Sequence, residues 1–235
     1  MNPSLKKRFW EKVSVEPLDQ GFGVALDGRR IKTPAKADLR VPVRAAAELI
    51  AAEWDAQDGK VDPETMPATR WANAAIDKVT PQRADVLELL AAYSESDLLC
   101  YRADSPAELS ALQEAAWNPV LDWARTTHNA PLNTTFGVLP VAQPNQSVAN
   151  LRAALEGYDS FQIAAIHDLI CISGSLVLAL ALAEGALSVD QAWEISRIDE
   201  DWQAKLWGLD DEAEENARAK RVSFAFAHRI LMLIQ

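Results

Sequence analysis

The chain has 235 residues, of which 49% are hydrophobic and 24% are charged, as in ordinary globular proteins that bury a core. A formal net charge of −11 argues against a nucleic-acid-binding protein, because such proteins need a basic surface to replace phosphate counterions. Two widely spaced cysteines form neither a disulfide framework nor a metal-binding motif, which fits a reducing compartment.

The first 42 residues have the pattern of a small antiparallel β domain. The segments "KVSVEPL", "FGVAL" and "LRVP" are typical of short strands, and glycines and prolines lie between them. Asp27 and Gly28 are placed where a tight hairpin turn needs residues that tolerate positive φ. We therefore predict a β domain over residues 1–42.

Helical spacing begins at Val43 and predicts a larger all-helical domain over residues 43–235. Thr80-Pro81 predicts the start of a helix, and Asn118-Pro119 predicts that another helix restarts there. The apolar run at residues 169–183 predicts one buried helix, because it is shorter than the roughly 20 residues that cross a bilayer. The predicted fold class is therefore α+β, without membrane insertion.

Capping patterns mark the last helices. Asp159 with Gln162, and Ser188 with Gln191, have the spacing of capping boxes. Gly208 follows the second of these helices, where a glycine commonly ends a helix. A helix over residues 188–208 follows from these signals.

The common catalytic signatures are missing from the sequence. It contains no phosphate-binding loop and no nucleophile elbow, and its three histidines are scattered without a second metal ligand at a suitable spacing. We therefore predict no catalytic residue, no metal and no cofactor.

The segment "SDLLCYRAD" places Cys100 beside Arg102 and raises the question of a catalytic thiol. A reactive cysteine needs a base to take its proton, and no histidine lies within ten residues of Cys100. Apolar neighbours favour a buried thiol that packs as a small hydrophobic group. Asp97 and Arg102 are candidate structural ion-pair partners.

The predicted helix over 188–208 carries two stripes. One stripe (Ile195, Ile198, Trp202 and Leu206) has the spacing of a core-facing side. The opposite stripe (Trp193, Ser196, Glu200, Gln203 and Trp207) presents two tryptophans around a carboxylate and an amide, which is not a normal solvated face. Two interpretations remain open here: a helix sandwiched between neighbours, or a surface that docks a partner through aromatic anchors.

Seven segments, taken together and in this order, resemble the assembly chaperones for the alpha subunit of the F-type ATP synthase catalytic sector. They are "RFW" (8–10), "LDGRRIKTPAKADLRVP" (26–42), "AEWDAQ" (52–57), "ETMPATRWANAAID" (64–77), "SDLLCYRAD" (96–104), "WNPVLDW" (117–123) and "DEDWQAKLWG" (199–208). The resemblance implies a small β domain followed by a helical domain, and a protein that is not an enzyme. It also implies binding of the unassembled alpha subunit, which prevents aggregation of that subunit and promotes assembly of the catalytic hexamer.

The resemblance further implies an essential glutamate within "DEDWQAKLWG". Glu200 is the expected residue, although Asp199 and Asp201 are adjacent candidates. The predicted partner-binding residues are Glu200, Gln203, Trp207, Trp193, Asp199 and Asp201. We expect a monomer in the bacterial cytoplasm, or in the mitochondrial matrix if a transit peptide has been removed.

Two other functions remain as alternatives. The first is a helical enzyme of unrecognised class that uses Cys100 and Arg102. The second is a stable structural subunit of a complex, which would remain in the finished assembly.

Overall fold

Four short strands form an antiparallel sheet near the N-terminus in the computed structural model, which describes residues 7–208 and 211–235. The strands are β1 (Val13–Pro17), β2 (Phe22–Leu26), β3 (Arg29–Arg30) and β4 (Arg40–Val41). β2 is central and pairs with each of the other three strands, and Val15 of β1 lies opposite Val24 of β2. Val24, Ala25 and Leu26 are buried, so β2 supplies the core of the sheet.

The turns of this sheet depend on positive φ. Asp27 (φ 48°) and Gly28 (φ 77°) connect β2 to β3, as the sequence predicts, and the Asp27 carboxylate accepts a hydrogen bond from the Lys12 N–H at 2.9 Å. Gly21 has a φ of 87°, and a Cβ atom there would lie 2.3 Å from the Val41 carbonyl oxygen. Only glycine fits this position, because any side chain would overlap the backbone of β4.

Ten helices make up most of the remaining described chain. They are α1 (Arg44–Asp55), α2 (Pro67–Ala74), α3 (Arg83–Ala92), α4 (Ala107–Thr127), α5 (Asn145–Glu156), α6 (Ser160–Ser173), α7 (Leu176–Ala183), α8 (Val189–Ser196), α9 (Ile198–Trp207) and α10 (Asp211–Ile234). A two-residue parallel pair, β5 (Tyr101–Arg102) with β6 (Thr135–Phe136), lies within the helical part. The predicted α+β fold, a small antiparallel sheet followed by a larger helical part, is confirmed.

Two predicted helix starts are wrong. A π-helical stretch, Ala75–Val79, continues α2, and both the N–H and the hydroxyl of Thr80 donate to the Ala75 carbonyl. α3 therefore begins only at Arg83. α4 runs without interruption through Pro119, because the fully buried Trp117 and the nearby buried Val120 hold it in the core despite the missing proline N–H.

The apolar run at residues 169–183 forms two helices instead of the predicted one. Gly174 (φ 73°) ends α6, and Ser175 caps α7 by accepting a hydrogen bond from the Leu178 N–H at 2.9 Å. All eight residues of α7 are buried. Since both sides of the break are apolar, periodicity alone did not reveal it.

The chain separates into two compact units. One comprises the chain up to Arg83 together with Asp159–Ala165 and Arg229–Gln235, and the other comprises Ala84–Tyr158 and Ile166–His228. Strands give way to helices between Val41 and Arg44. The predicted division into domains 1–42 and 43–235 stays a prediction. The first compact unit differs from the predicted β domain, because it extends to Arg83 and includes two later segments.

Two carboxylates organise the first unit. Glu53 in α1 accepts hydrogen bonds from the N–H groups of Ala68 (2.5 Å) and Thr69 (2.8 Å), and so caps α2. Burial raises the pKa of Glu53 above its ordinary value, and these hydrogen bonds oppose that shift. Asp77 accepts the Thr33 hydroxyl at 2.6 Å and thereby ties the segment after β3 to the helices. These contacts give a structural role to Glu53 of "AEWDAQ" and to Thr69 and Asp77 of "ETMPATRWANAAID".

Within residues 7–208 and 211–235, no helix combines the length and the apolar composition needed to cross a membrane.

Candidate functional site

The helix predicted over residues 188–208 is two helices that meet at Arg197. Arg197 (φ −107°, ψ 3°) ends α8 and precedes α9. The Ser188–Gln191 capping box that opens α8 is present as predicted, and Gly208 (φ 85°) ends α9. The break changes which residues share a face, because positions before and after Arg197 no longer follow one 100° period.

The prediction of a core-facing stripe on this segment is wrong for α9. No residue of α9 is buried. Ile198 and Trp202 are half-buried, and Leu206 is 56% exposed. The apolar residues of α9 line the surface instead of a core, which is unusual for a helix that carries two tryptophans.

Glu200, Gln203 and Trp207 do lie together, on one side of α9. They line an open cleft of about 360 Å³ between α9 and α10. The Trp207 side chain is 80% exposed. The cleft also contains Lys220 and Asn216 of α10, which the sequence analysis missed because only the tertiary structure brings α10 against α9.

Electrostatics at the cleft centre on Glu200. Its carboxylate accepts a hydrogen bond from the Arg197 guanidinium at 3.0 Å, and half of its side chain remains exposed. The Arg197 side chain is only 16% exposed, so solvent reaches this pair from the Glu200 side. The half-exposed Glu200 carboxylate is accessible to a partner's cation, the Lys220 ammonium of the same cleft can meet a partner's anion, and the nearby indole offers a large apolar contact.

The two acids next to Glu200 point elsewhere. Asp199 accepts a hydrogen bond from the Gln113 amide at 2.6 Å, and Gln113 in turn accepts one from the Ala103 N–H at 2.7 Å. Asp199 thus joins α9 to α4 and the segment after β5. Asp201 lies 3.9 Å from Arg197 Nε and lines a different groove.

Trp193 is half-buried and does not line the cleft. Its ring lies 5.8 Å from the ring of Phe224, which is fully buried, and the Arg197 guanidinium lies 5.6 Å from its centre. Of the six predicted residues, the structure brings Glu200, Gln203 and Trp207 into one cleft, and places Trp193, Asp199 and Asp201 outside it.

The segment "SDLLCYRAD" is a packing element. Cys100 is completely buried, and burial raises the pKa of its thiol to about 12, so the thiolate form is suppressed. Arg102 lies 4.8 Å above the Trp117 ring and donates hydrogen bonds to the Leu99 carbonyl (2.6 Å) and the Asn118 side chain (2.7 Å).

The expected ion pair between Asp97 and Arg102 is wrong. The Asp97 carboxylate accepts hydrogen bonds from the N–H groups of Leu99 and Val177, each at 3.1 Å. The backbone supplies these partners, so no guanidinium is needed to satisfy the carboxylate.

No group of three or more histidine, cysteine, aspartate or glutamate side chains is arranged to hold a metal ion in the part of the chain that the structure describes.

Known proteins resemble this chain along most of its length. The family model of the ATP12 chaperone protein matches residues 7–125. The crystal structure of Atp12 from Paracoccus denitrificans is 42% identical, with a TM-score of 0.90, and the match covers 97% of this chain and 98% of that one. A solved structure from Agrobacterium tumefaciens is 40% identical, with a TM-score of 0.92, and the match covers 98% of this chain and 87% of that one.

A more distant relative is the mitochondrial protein atp12 of Schizosaccharomyces pombe. It is 24% identical over 222 residues, which cover 89% of this chain and 76% of that protein. The family is one of chaperones and not of enzymes, so the hypothesis of an enzyme that uses Cys100 and Arg102 is wrong. The family model that matches half of the chain and the fold shared with a structure 42% identical to it together show that this chain belongs to the ATP12 chaperone family.

Proposed function

We propose that this chaperone binds the unassembled alpha subunit of the F-type ATP synthase, prevents its aggregation and promotes assembly of the catalytic hexamer. The observation that carries the proposal is the exposed indole of Trp207 beside Glu200 and Gln203, on a helix that buries none of its residues. Membership of the ATP12 chaperone family supports the proposal.

The chemistry of the cleft suits reversible binding of another protein. Aromatic anchors contribute much of the energy of protein interfaces, and a charged neighbour adds orientation and specificity. A chaperone must also release its client, so a few anchors of moderate strength suit it better than an extended apolar interface.

The overall charge supports the same role. At −11, the chain repels copies of itself and attracts basic surfaces of a partner. We propose that the protein acts as a monomer in the bacterial cytoplasm, and that the alpha subunit binds before it pairs with beta subunits.

The test is co-expression with the alpha subunit of the same organism, followed by measurement of soluble alpha subunit and of the purified complex. The variant Glu200→Lys places a cation next to Arg197 at the cleft. We expect it to lower the yield of complex by about tenfold, the loss that corresponds to roughly 1.4 kcal/mol of binding energy.

Glu215→Lys is the matched control. It makes the same charge change on an exposed residue of α10 that does not line the cleft. Equal effects of the two substitutions would show that net charge matters and the cleft does not. A wild-type chain that neither binds nor protects the alpha subunit would overturn the proposed function.

The remaining alternative is a stable structural subunit of a complex, and the composition of purified, fully assembled ATP synthase tests it. A chaperone should be absent from the assembled synthase, whereas a structural subunit would be present in a fixed ratio to the other chains.

A further inference from the structure

A second groove lies on the other side of α9 from the Glu200 cleft. It has a volume of about 460 Å³ and lies against α4. At 100° per residue, Ile198 and Trp202 project from the side of α9 roughly opposite to Glu200 and Trp207. The lining residues are Leu112, Ala115, Ala116, Glu194, Ile198, Asp201, Trp202 and Lys205.

The floor of this groove is apolar although it faces solvent. Leu112 is 51% exposed, and Ile198 and Trp202 are half-buried. Ala115 and Ala116 are small, so the surface of α4 is recessed between these larger side chains. A groove of this size falls in the roughly 300–1,000 Å³ range of binding pockets and can hold several side chains. A mainly apolar lining with a few charged groups at its edge is typical of binding sites.

The rim of the groove carries two acids, Glu194 and Asp201, and one cation, Lys205. Within the described chain, Glu194 makes no salt bridge, and the salt bridge of Asp201 is a long one of 3.9 Å to Arg197. Lys205 forms no salt bridge of 4 Å or less with either acid in the described chain, and its ammonium lies 5.9 Å from the centre of the Trp202 ring, so the two acids outnumber the one cation of the groove. A partner group that enters beside Glu194 and Asp201 is therefore favoured if it is a cation.

We propose that the groove between α4 and α9 binds an apolar segment of the client protein that carries a lysine or arginine next to its apolar side chains. This inference rests on the proposed function, because the occupant is the same client. The basic residue of that segment pairs with Glu194 and Asp201 while its apolar side chains cover Leu112 and Trp202. α9 is then held by the client on both sides, which explains why none of its residues is buried in the free protein.

Protection of an introduced thiol tests this directly. The exposed Cys171 is replaced by serine, which leaves only the buried Cys100, and Ala115→Cys is added at the groove. The labelling rate with N-ethylmaleimide is measured on the chaperone alone and on its complex with the alpha subunit. We expect labelling at position 115 to slow by about tenfold in the complex, because a docked segment excludes the reagent.

Val222→Cys, in the same Cys171→Ser background, is the control site. Val222 is 70% exposed on α10 and lines neither groove. Its labelling rate should not change in the complex. If the complex forms and position 115 is labelled at the rate of the free chaperone, the groove proposal is wrong while the proposed function stands. If no complex forms, the proposed function fails, and the groove proposal fails with it.

Charge substitutions of opposite sign test the chemistry of the occupant. Glu194→Lys should lower the affinity for the alpha subunit by about tenfold, whereas Lys205→Glu should leave it equal or higher. Equal losses from both substitutions would mean that the rim acts through packing and would overturn the assignment of a basic segment.

Discussion

The buried carboxylate of Asp97 joins two helical segments that are far apart in the sequence. It caps the turn that begins at Leu98 and also binds the N–H of Val177 at the start of α7. Burial raises the pKa of Asp97 to about 6 from 3.8, because desolvation of the carboxylate outweighs the hydrogen bonds from Ser175 and the backbone.

The raised pKa of Asp97 predicts a pH-dependent stability. At a pH between 3.8 and about 6, Asp97 is protonated in the folded chain and ionised in the unfolded chain. The stabilisation that this bound proton gives to the folded chain is complete below pH 3.8 and is lost as the pH rises through about 6. Asp97→Asn cannot titrate, although it loses one acceptor and is less stable overall. We expect the stability advantage of the wild type over Asp97→Asn to fall by about 1–1.5 kcal/mol between roughly pH 5 and pH 7.5.

Urea denaturation of both proteins at several pH values measures this difference. Taking the difference between the two curves cancels the titration of the many surface carboxylates. An advantage that stays constant, or that grows with pH, would show that the pKa of Asp97 is not raised in the folded protein.

At the scale of elements, the capping of α7 is decisive, because this helix is entirely buried. Water cannot replace a lost partner at its N-terminus, so Ser175 must satisfy the Leu178 N–H. The same serine also contributes a hydrogen bond to Asp97. The break at Gly174 and Ser175 therefore depends on side-chain chemistry as well as on a flexible glycine.

Ser175→Ala should lower the free energy of unfolding by about 1–3 kcal/mol, because it leaves a buried N–H without an acceptor. Ser223→Ala is the matched control, since Ser223 is exposed on α10 and donates to the Ala219 carbonyl of its own helix. Its effect should stay within about 0.5 kcal/mol. Chemical denaturation of both variants checks the comparison, and similar losses would contradict the special role of Ser175.

At the scale of the whole molecule, the net charge of −11 governs encounters with other proteins. At the groove against α4, the acids Glu194 and Asp201 outnumber the single cation Lys205, whereas Glu200 shares its cleft with Arg197 and Lys220. Long-range attraction of a basic client surface is therefore expected to speed association.

We expect the association rate with the alpha subunit to fall by about tenfold between roughly 50 mM and 500 mM NaCl, while the dissociation rate changes much less. Stopped-flow or surface-based kinetics measure both rates. An association rate that does not depend on salt would exclude electrostatic steering and would leave the apolar contacts as the whole driving force.

The sequence alone determined the features that depend on local spacing. The turn at Asp27-Gly28 and the caps at Asp159 and Ser188 follow from the backbone needs of a few adjacent residues, and the structure has all three. Seven short segments were enough to indicate the family. Glu200, Gln203 and Trp207 could be grouped in advance, because they are three and four residues apart within one unbroken helix.

Tertiary structure decided where helices break and which faces are covered. Arg197 interrupts a strongly helical pattern, so Trp193 packs against Phe224 instead of joining Trp207, and Gly174 divides an apolar run whose two halves look alike. Pro119, in contrast, does not interrupt α4, because burial of Trp117 outweighs the one hydrogen bond that the proline cannot donate. These breaks and continuities depend on contacts between residues that are distant in the sequence. The periodicity of a helix shows which of its residues share a face, but it does not show which other element that face will contact.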